Sequence, residues 1–176
     1  ESAGRFAAEI VANLSDLAMD KTRFEISMEP IEPGPKGAER IEFLIAPNPG
    51  EPLKPLSKIA SGGEISRVML AIKSAMAKRE PLPTMVFDEI DVGVGGRTAF
   101  VVADKLAGLG GNSQVICITH LGQIASRANS HFYIEKSISG DRTSVSVVEL
   151  NREQRVEEIV RMLGGDPQSQ AIRQHA

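Results

Sequence analysis

The stretch from Thr84 to Thr119 limits what this chain can fold into more than any other. Thr84-Met85-Val86-Phe87 and Val115-Ile116-Cys117-Ile118-Thr119 are short apolar runs without polar alternation. That pattern belongs to strands covered by helices on both faces, as in a parallel sheet. Between them Ala99, Val102, Leu106 and Leu109 recur at helical spacing, and Gly110-Gly111 supplies a stop. Each run also ends on groups capable of chemistry, Asp88-Glu89 after the first and His120 after the second. A βαβ unit of this kind places ligands beyond the carboxyl ends of its strands.

The flanking segments fit around that unit. Phe6, Ile10, Leu14 and Leu17 make one apolar stripe, predicting a helix over the first eighteen or so residues. Phe24, Ile26 and Met28 alternate with Glu25 and Ser27, predicting a half-buried strand, and residues 40–45 predict a second. Seven of the ten prolines lie between Pro30 and Pro55, so no helix can form there. The two strands are expected to pair as a hairpin with a long proline-bearing loop. Ile65, Val68, Met69, Ile72 and Met76 predict a long amphipathic helix that ends before Pro81 and Pro83. A short helix near 121–127, strands at 131–135 and 143–149, and a charged helix with Val156, Ile159, Val160 and Leu163 inward complete the order, closed by Gly164-Gly165. The fold class is α/β, a mixed sheet flanked by helices.

Composition narrows the function classes. The 176 residues, 41% apolar and 24% charged, suffice for one buried core and exclude collagen-like, disulfide-rich and disordered chains. Nowhere do eighteen apolar residues run together, so no membrane span is expected. The single cysteine, Cys117, fits a reducing cytoplasm. The first residues lack a signal-peptide profile and an initiator Met, which suggests a piece of something longer. The net charge of −3 gives no electrostatic pointer to nucleic acid.

Three motifs fall where ligands bind in such a fold. Ala60-Ser61-Gly62-Gly63-Glu64 precedes the long helix. Its free N–H groups and the helix dipole favour an anion there, although a plain capped helix start has the same look. Asp88-Glu89 follows a buried strand; Asp88 could hold Mg²⁺ and Glu89 could polarise a water, or the two could form a solvated acidic turn. His120 stands at a strand end, where a lone histidine is more often structural. His131 and His175 share no ligand spacing with it and are read as structural and as part of a frayed end.

Taken together and in order, these motifs resemble those of ABC-type ATPases. Ser61-Gly62-Gly63-Glu64 is similar to their signature motif, Met85 to Glu89 to their Walker B strand, and His120 to their switch histidine. Asp91 with Gly93, Gly95 and Gly96 is similar to the D-loop, with a departure at Gly95, where a serine is more usual. Within that superfamily the strings from Ile59 to Lys73, Phe87 to Arg97, Cys117 to Ala125 and Arg155 to Gly165 resemble the RecN family, as does the chain from about Leu14 to Gly165. Ala60 stands where most transporters and SMC (structural maintenance of chromosomes) proteins carry Leu.

The resemblance implies the C-terminal lobe of an ABC/SMC-type P-loop NTPase head serving DNA double-strand break repair and recombination. It assigns water activation to Glu89, Mg²⁺ to Asp88, γ-phosphate contact to His120, and binding of a partner's ATP to Ser61, Gly62, Gly63 and Glu64, with Asp91 in the D-loop. It implies a homodimer of ATP-sandwiched heads, DNA as a partner of the full protein, no membrane, and a cytoplasmic, nucleoid-associated location. Residues 1–20 would end a returning coiled-coil helix, 21–165 would form the lobe, and 166–176 a tail. None of the sixteen glycines is followed by Lys, so the P-loop must lie elsewhere, in an N-terminal lobe. The nucleotide-binding lobe of another SMC-like or ABC transporter ATPase, and an isolated lobe that binds no nucleotide, are the alternatives. Lys54, Lys58, Arg67, Lys73, Lys78 and Arg79 form a loosely basic stretch without interleaved aromatics, more typical of a solvated face than of a nucleic-acid platform.

Overall fold

The computed structural model describes residues 2–35, 37–77, 82–139 and 142–164. The chain divides into two compact units, Glu1–Ile118 and Thr119–Ala176. In the first, helix α1 (Ser2–Asp16) buries Ile10 and Leu14, with Leu17 buried just past its end. Its polar side is tied to a later helix: the Lys105 ammonium donates to Asn13 Oδ1 at 2.7 Å and pairs with Asp16 at 3.0 Å.

Strands β1 (Arg23–Gly34) and β2 (Gly37–Ala46) pair antiparallel, and β3 (Lys54–Pro55) joins the other edge of β2. Only the base of this sheet enters the core, through Phe24, Ile45 and Ala46. Phe24 packs on Phe43 with ring centroids 5.6 Å apart. The expected long proline loop is replaced by strands that run on through Pro30 and Pro33. A register shift between Pro30 and Gly34 absorbs the irregularity. β1 is the edge strand, where a residue without an N–H is tolerated at positions facing away from the partner strand or at a bulge.

Helix α2 (Gly62–Met76) buries Val68, Leu70, Ala71, Ile72 and Ala75. Strand β4 (Thr84–Phe87), helix α3 (Gly96–Gly110) and strand β5 (Gln114–Cys117) form the βαβ unit, with β4 and β5 parallel and Phe87 opposite Cys117. α3 buries Ala99, Val102, Ala103, Leu106 and Leu109. The strands are not covered on both faces, however. Met85 and Phe87 are buried, whereas Val86 is 64% exposed and Ile116 45%. Their unbroken apolar sequence signals two covering layers, and the described residues supply one.

In the second unit, helix α4 (Gly122–Ala125) lies against the last helix, α5 (Arg152–Met162). The approach is close: a β-carbon at Gly122 would stand 3.1 Å from Leu163 Cγ. Strands β6 (Phe132–Ser139) and β7 (Arg142–Glu149) pair antiparallel. α5 starts in a capping box between Asn151 and Gln154 and buries Ile159 and Val160. On its surface Arg161 forks onto Glu158 at 2.7 and 2.6 Å, one helical turn away. Gly165, His175 and the 166–176 tail lie outside the described residues. Parallel and antiparallel strands flanked by helices make the fold α/β, and in place of one mixed sheet the described strands are distributed over three separate sheets. Among the described residues no helix is long and apolar enough to cross a membrane.

Candidate active site

The site grows out of two breaks in regular structure that meet in the first unit. One is the N-terminus of α2. Ser61 caps it with extended backbone, its Oγ accepting from Glu64 N at 3.4 Å. Glu64 in the first turn complements the helix dipole. The other is the loop that leaves β4. Val92 N donates to Glu89 O at 3.2 Å and Val94 N to Asp91 O at 3.0 Å, so residues 89–94 form two overlapping turns. Gly93 takes a positive φ of 71°, as a turn of this tightness requires.

Asp88 and Glu89 are both exposed. Glu89 stands at φ 56°, in the left-handed region, while its N–H donates to Asp88 Oδ1 at 2.9 Å. That turn sends the Glu89 carboxylate onto the Ser61–Gly63 loop, where a β-carbon at Gly62 would overlap Oε2. At Gly63 a β-carbon would lie 2.9 Å from Val92 Cβ and 3.1 Å from the carbonyl oxygens of Glu89 and Val92. Gly63 is therefore required by contact with the backbone of the loop after β4, whereas at Gly62 the neighbour is the flexible end of the Glu89 side chain, which can move aside. Asp91 points inward and is 3% exposed.

The structure thus brings Ser61, Gly62, Gly63, Glu64, Asp88, Glu89 and Asp91 together. His120 belongs to the second unit, exposed between Thr119 and α4. Its neighbour Thr119 accepts from Leu121 N through Oγ1 at 3.0 Å. His131 is half-buried in the same unit. Burial and the Arg155 guanidinium lower its pKa, partly offset by Glu158. Cys117 ends β5; burial, then the charges of Asp91 and Asp88, push its thiol up to about 12. This disfavours the thiolate, the nucleophilic form of the side chain.

Two residues of the site escape sequence reasoning. Ser66 Oγ donates to Asp88 O at 2.6 Å, and Arg67 Nη1 donates to Val92 O at 2.7 Å. The only sequence signal was helical spacing, which puts Gly63, Ser66 and Arg67 on one face of α2. This also removes Arg67 from the loosely basic stretch, since its guanidinium is spent on the loop. Lys78 and Arg79 of that stretch lie outside the described residues. Among the described residues no three His, Cys, Asp or Glu side chains are clustered as a metal site.

No family model matches the chain. Among curated proteins it is similar to the DNA repair protein RecN of Treponema pallidum, 44% identical over 97% of this chain and 31% of that protein. It is also similar to RecN of Streptomyces coelicolor, 42% identical over 100% of this chain and 33% of the relative. The chain therefore spans about a third of the length of the curated relatives it matches. Among solved structures it resembles the Smc head domain with a coiled coil and joint from Pyrococcus yayanosii, with a TM-score of 0.60 and 24% identity over 89% of this chain and 28% of that one. A chain from work on ATP-driven dimerization and DNA-stimulated activation of SMC ATPases matches with a TM-score of 0.51 and 22% identity over 94% of each. These likenesses establish an SMC-type head fold.

Proposed function

We propose, from the premise that the chain is RecN-like and folds as the C-terminal lobe of an SMC-type head, that it is half of a composite ATPase used in DNA double-strand break repair and recombination. The observation that carries this reading is the meeting of exposed Asp88 and Glu89 with Ser61-Gly62-Gly63 at the N-terminus of α2. In this reading Glu89 accepts the proton of the water that attacks the γ-phosphorus of ATP. Asp88 offers hard carboxylate oxygens suited to Mg²⁺, which binds through one or two carboxylates plus substrate phosphates and needs no preassembled protein cage. Bound there, Mg²⁺ would neutralise phosphate charge. His120 contacts the γ-phosphate. Ser61, Gly62, Gly63 and Glu64 face the ATP held by a second copy of the head, and Asp91 shapes the loop between the half-sites.

The relatives' greater length supports the rest of the reading. No Gly-Lys pair occurs in the sequence, so the lysine that reaches the β- and γ-phosphates comes from an N-terminal lobe of the same polypeptide. Residues 1–20 end a coiled-coil helix returning from that lobe, 21–165 form the C-terminal lobe and 166–176 a tail. ATP holds two heads together and hydrolysis releases them. DNA is a partner of the full protein, in the bacterial cytoplasm at the nucleoid.

The test is Glu89→Gln in the full-length protein. Loss of the general base should lower turnover about 10²- to 10⁴-fold while an ATP-dependent dimer persists on size exclusion. Unchanged turnover would remove Glu89 from the role.

A further inference from the structure

We infer that Ser66 and Arg67 are positioning residues that bind the signature turn to the loop after β4, so that the two half-sites this chain contributes move as one piece. The inference rests on the proposed ATPase reading and adds the means by which one ATP site reports to the other. In a head dimer the signature turn would serve the partner's ATP, and Glu89 would serve the chain's own. Those two elements are distinct in sequence: the contacts that join them span 22 and 25 residues.

The loop is fixed from α2 at two points. Asp88 O receives the Ser66 hydroxyl and Val92 O receives the Arg67 guanidinium. These anchors bracket Glu89, the one residue of the loop other than glycine with a left-handed backbone. Such a conformation persists only where its surroundings over-determine it. Gly63, packed on the Glu89 and Val92 carbonyls without room for a β-carbon, adds a backbone seat between the anchors. A displacement of the α2 N-terminus is therefore passed to Glu89 through three contacts and no flexible linker.

Arg67 is also poorly explained as a stabilising residue. It is partly buried, and its Nε is a buried donor with no hydrogen-bond partner among the described residues. Leaving such a donor unpaired is costly, and an apolar side chain of similar volume would pack there at lower cost. What an apolar residue cannot do is reach Val92 O with a charged donor. The loop's own turns use Glu89 O and Asp91 O as acceptors, while the Asp88 and Val92 carbonyls take their donors from α2.

The experiment uses the full-length protein with Ser66→Ala, Ser66→Thr, Arg67→Ala and Arg67→Lys, beside Glu89→Gln as reference. Ser66→Ala and Arg67→Ala should lower kcat about tenfold with little change in the KM for ATP, and bring the Hill coefficient for ATP towards 1. Ser66→Thr, which keeps the hydroxyl, and Arg67→Lys, which keeps a charged donor, should recover most of kcat. Without nucleotide, the amide of Val92 should exchange faster in both alanine variants, a readout independent of turnover. Wild-type kcat, Hill coefficient and exchange in both alanine variants would overturn the coupling, as would a loss that the conservative variants do not rescue. If Glu89→Gln abolishes turnover while the alanine variants behave as wild type, only the coupling fails. If Glu89→Gln also turns over normally, the ATPase assignment fails with it.

Discussion

Glu89 carries a conformation that a residue with a β-carbon adopts at a cost of about 1–2 kcal/mol, at φ 56°. Glycine or asparagine would sit there more easily. The same loop electrostatics act on Cys117, whose thiol is pushed up to about 12 by burial and by Asp91 and Asp88. At pH 8 this leaves about one thiolate in 10⁴ molecules, against about a quarter for a free cysteine. A high-pKa thiolate is intrinsically more nucleophilic, which returns part of the loss. Alkylation of native Cys117 by iodoacetamide should still run about 50-fold slower than in the unfolded chain. Native labelling at the unfolded rate, followed by mass spectrometry, would contradict the burial described for β5. The identities of Asp88, Glu89 and the two glycines were legible in the sequence, because each stands at a sharp boundary between apolar periodicity and a turn. The Ser66 and Arg67 contacts were not, because they depend on how α2 docks on a loop more than twenty residues away.

The elements themselves follow local rules wherever those rules face no competition. α3 and β4 begin and end close to where their glycines and apolar runs predict. α5 is set by a reciprocal cap: Asn151 Oδ1 accepts from Gln154 N at 3.0 Å, and Gln154 Oε1 accepts from Asn151 N at 2.9 Å. Asn151→Ala removes half of that box and should destabilise the chain by about 1 kcal/mol, seen as a lower urea midpoint at unchanged slope. Asn151→Asp, which keeps the acceptor, should restore most of the loss; equal midpoints for Ala and Asn would show that the cap contributes nothing. The proline-rich hairpin is where local reading fell short. Proline excludes helix, but whether it ends a strand depends on which edge of the ladder it occupies. That is fixed by pairing: β1 is outermost, with its register shift at the prolines.

At the scale of the whole molecule, the sequence of β4 and β5 is that of a sheet covered twice, and the described residues cover it once. Val86, Ile116 and Ile118 are 64%, 45% and 50% exposed, an apolar face of the kind that marks an interaction surface. The curated relatives it matches are about three times as long as this chain. If the proposed reading holds, this chain carries half of an ATP site and does not bind the nucleotide by itself. Isothermal titration of Mg-ATP into the purified chain, and in parallel into the full-length protein, separates the two cases. The expected result is no measurable heat of binding for the chain alone and saturable binding for the full-length protein. Tight one-to-one binding to the chain alone would contradict it.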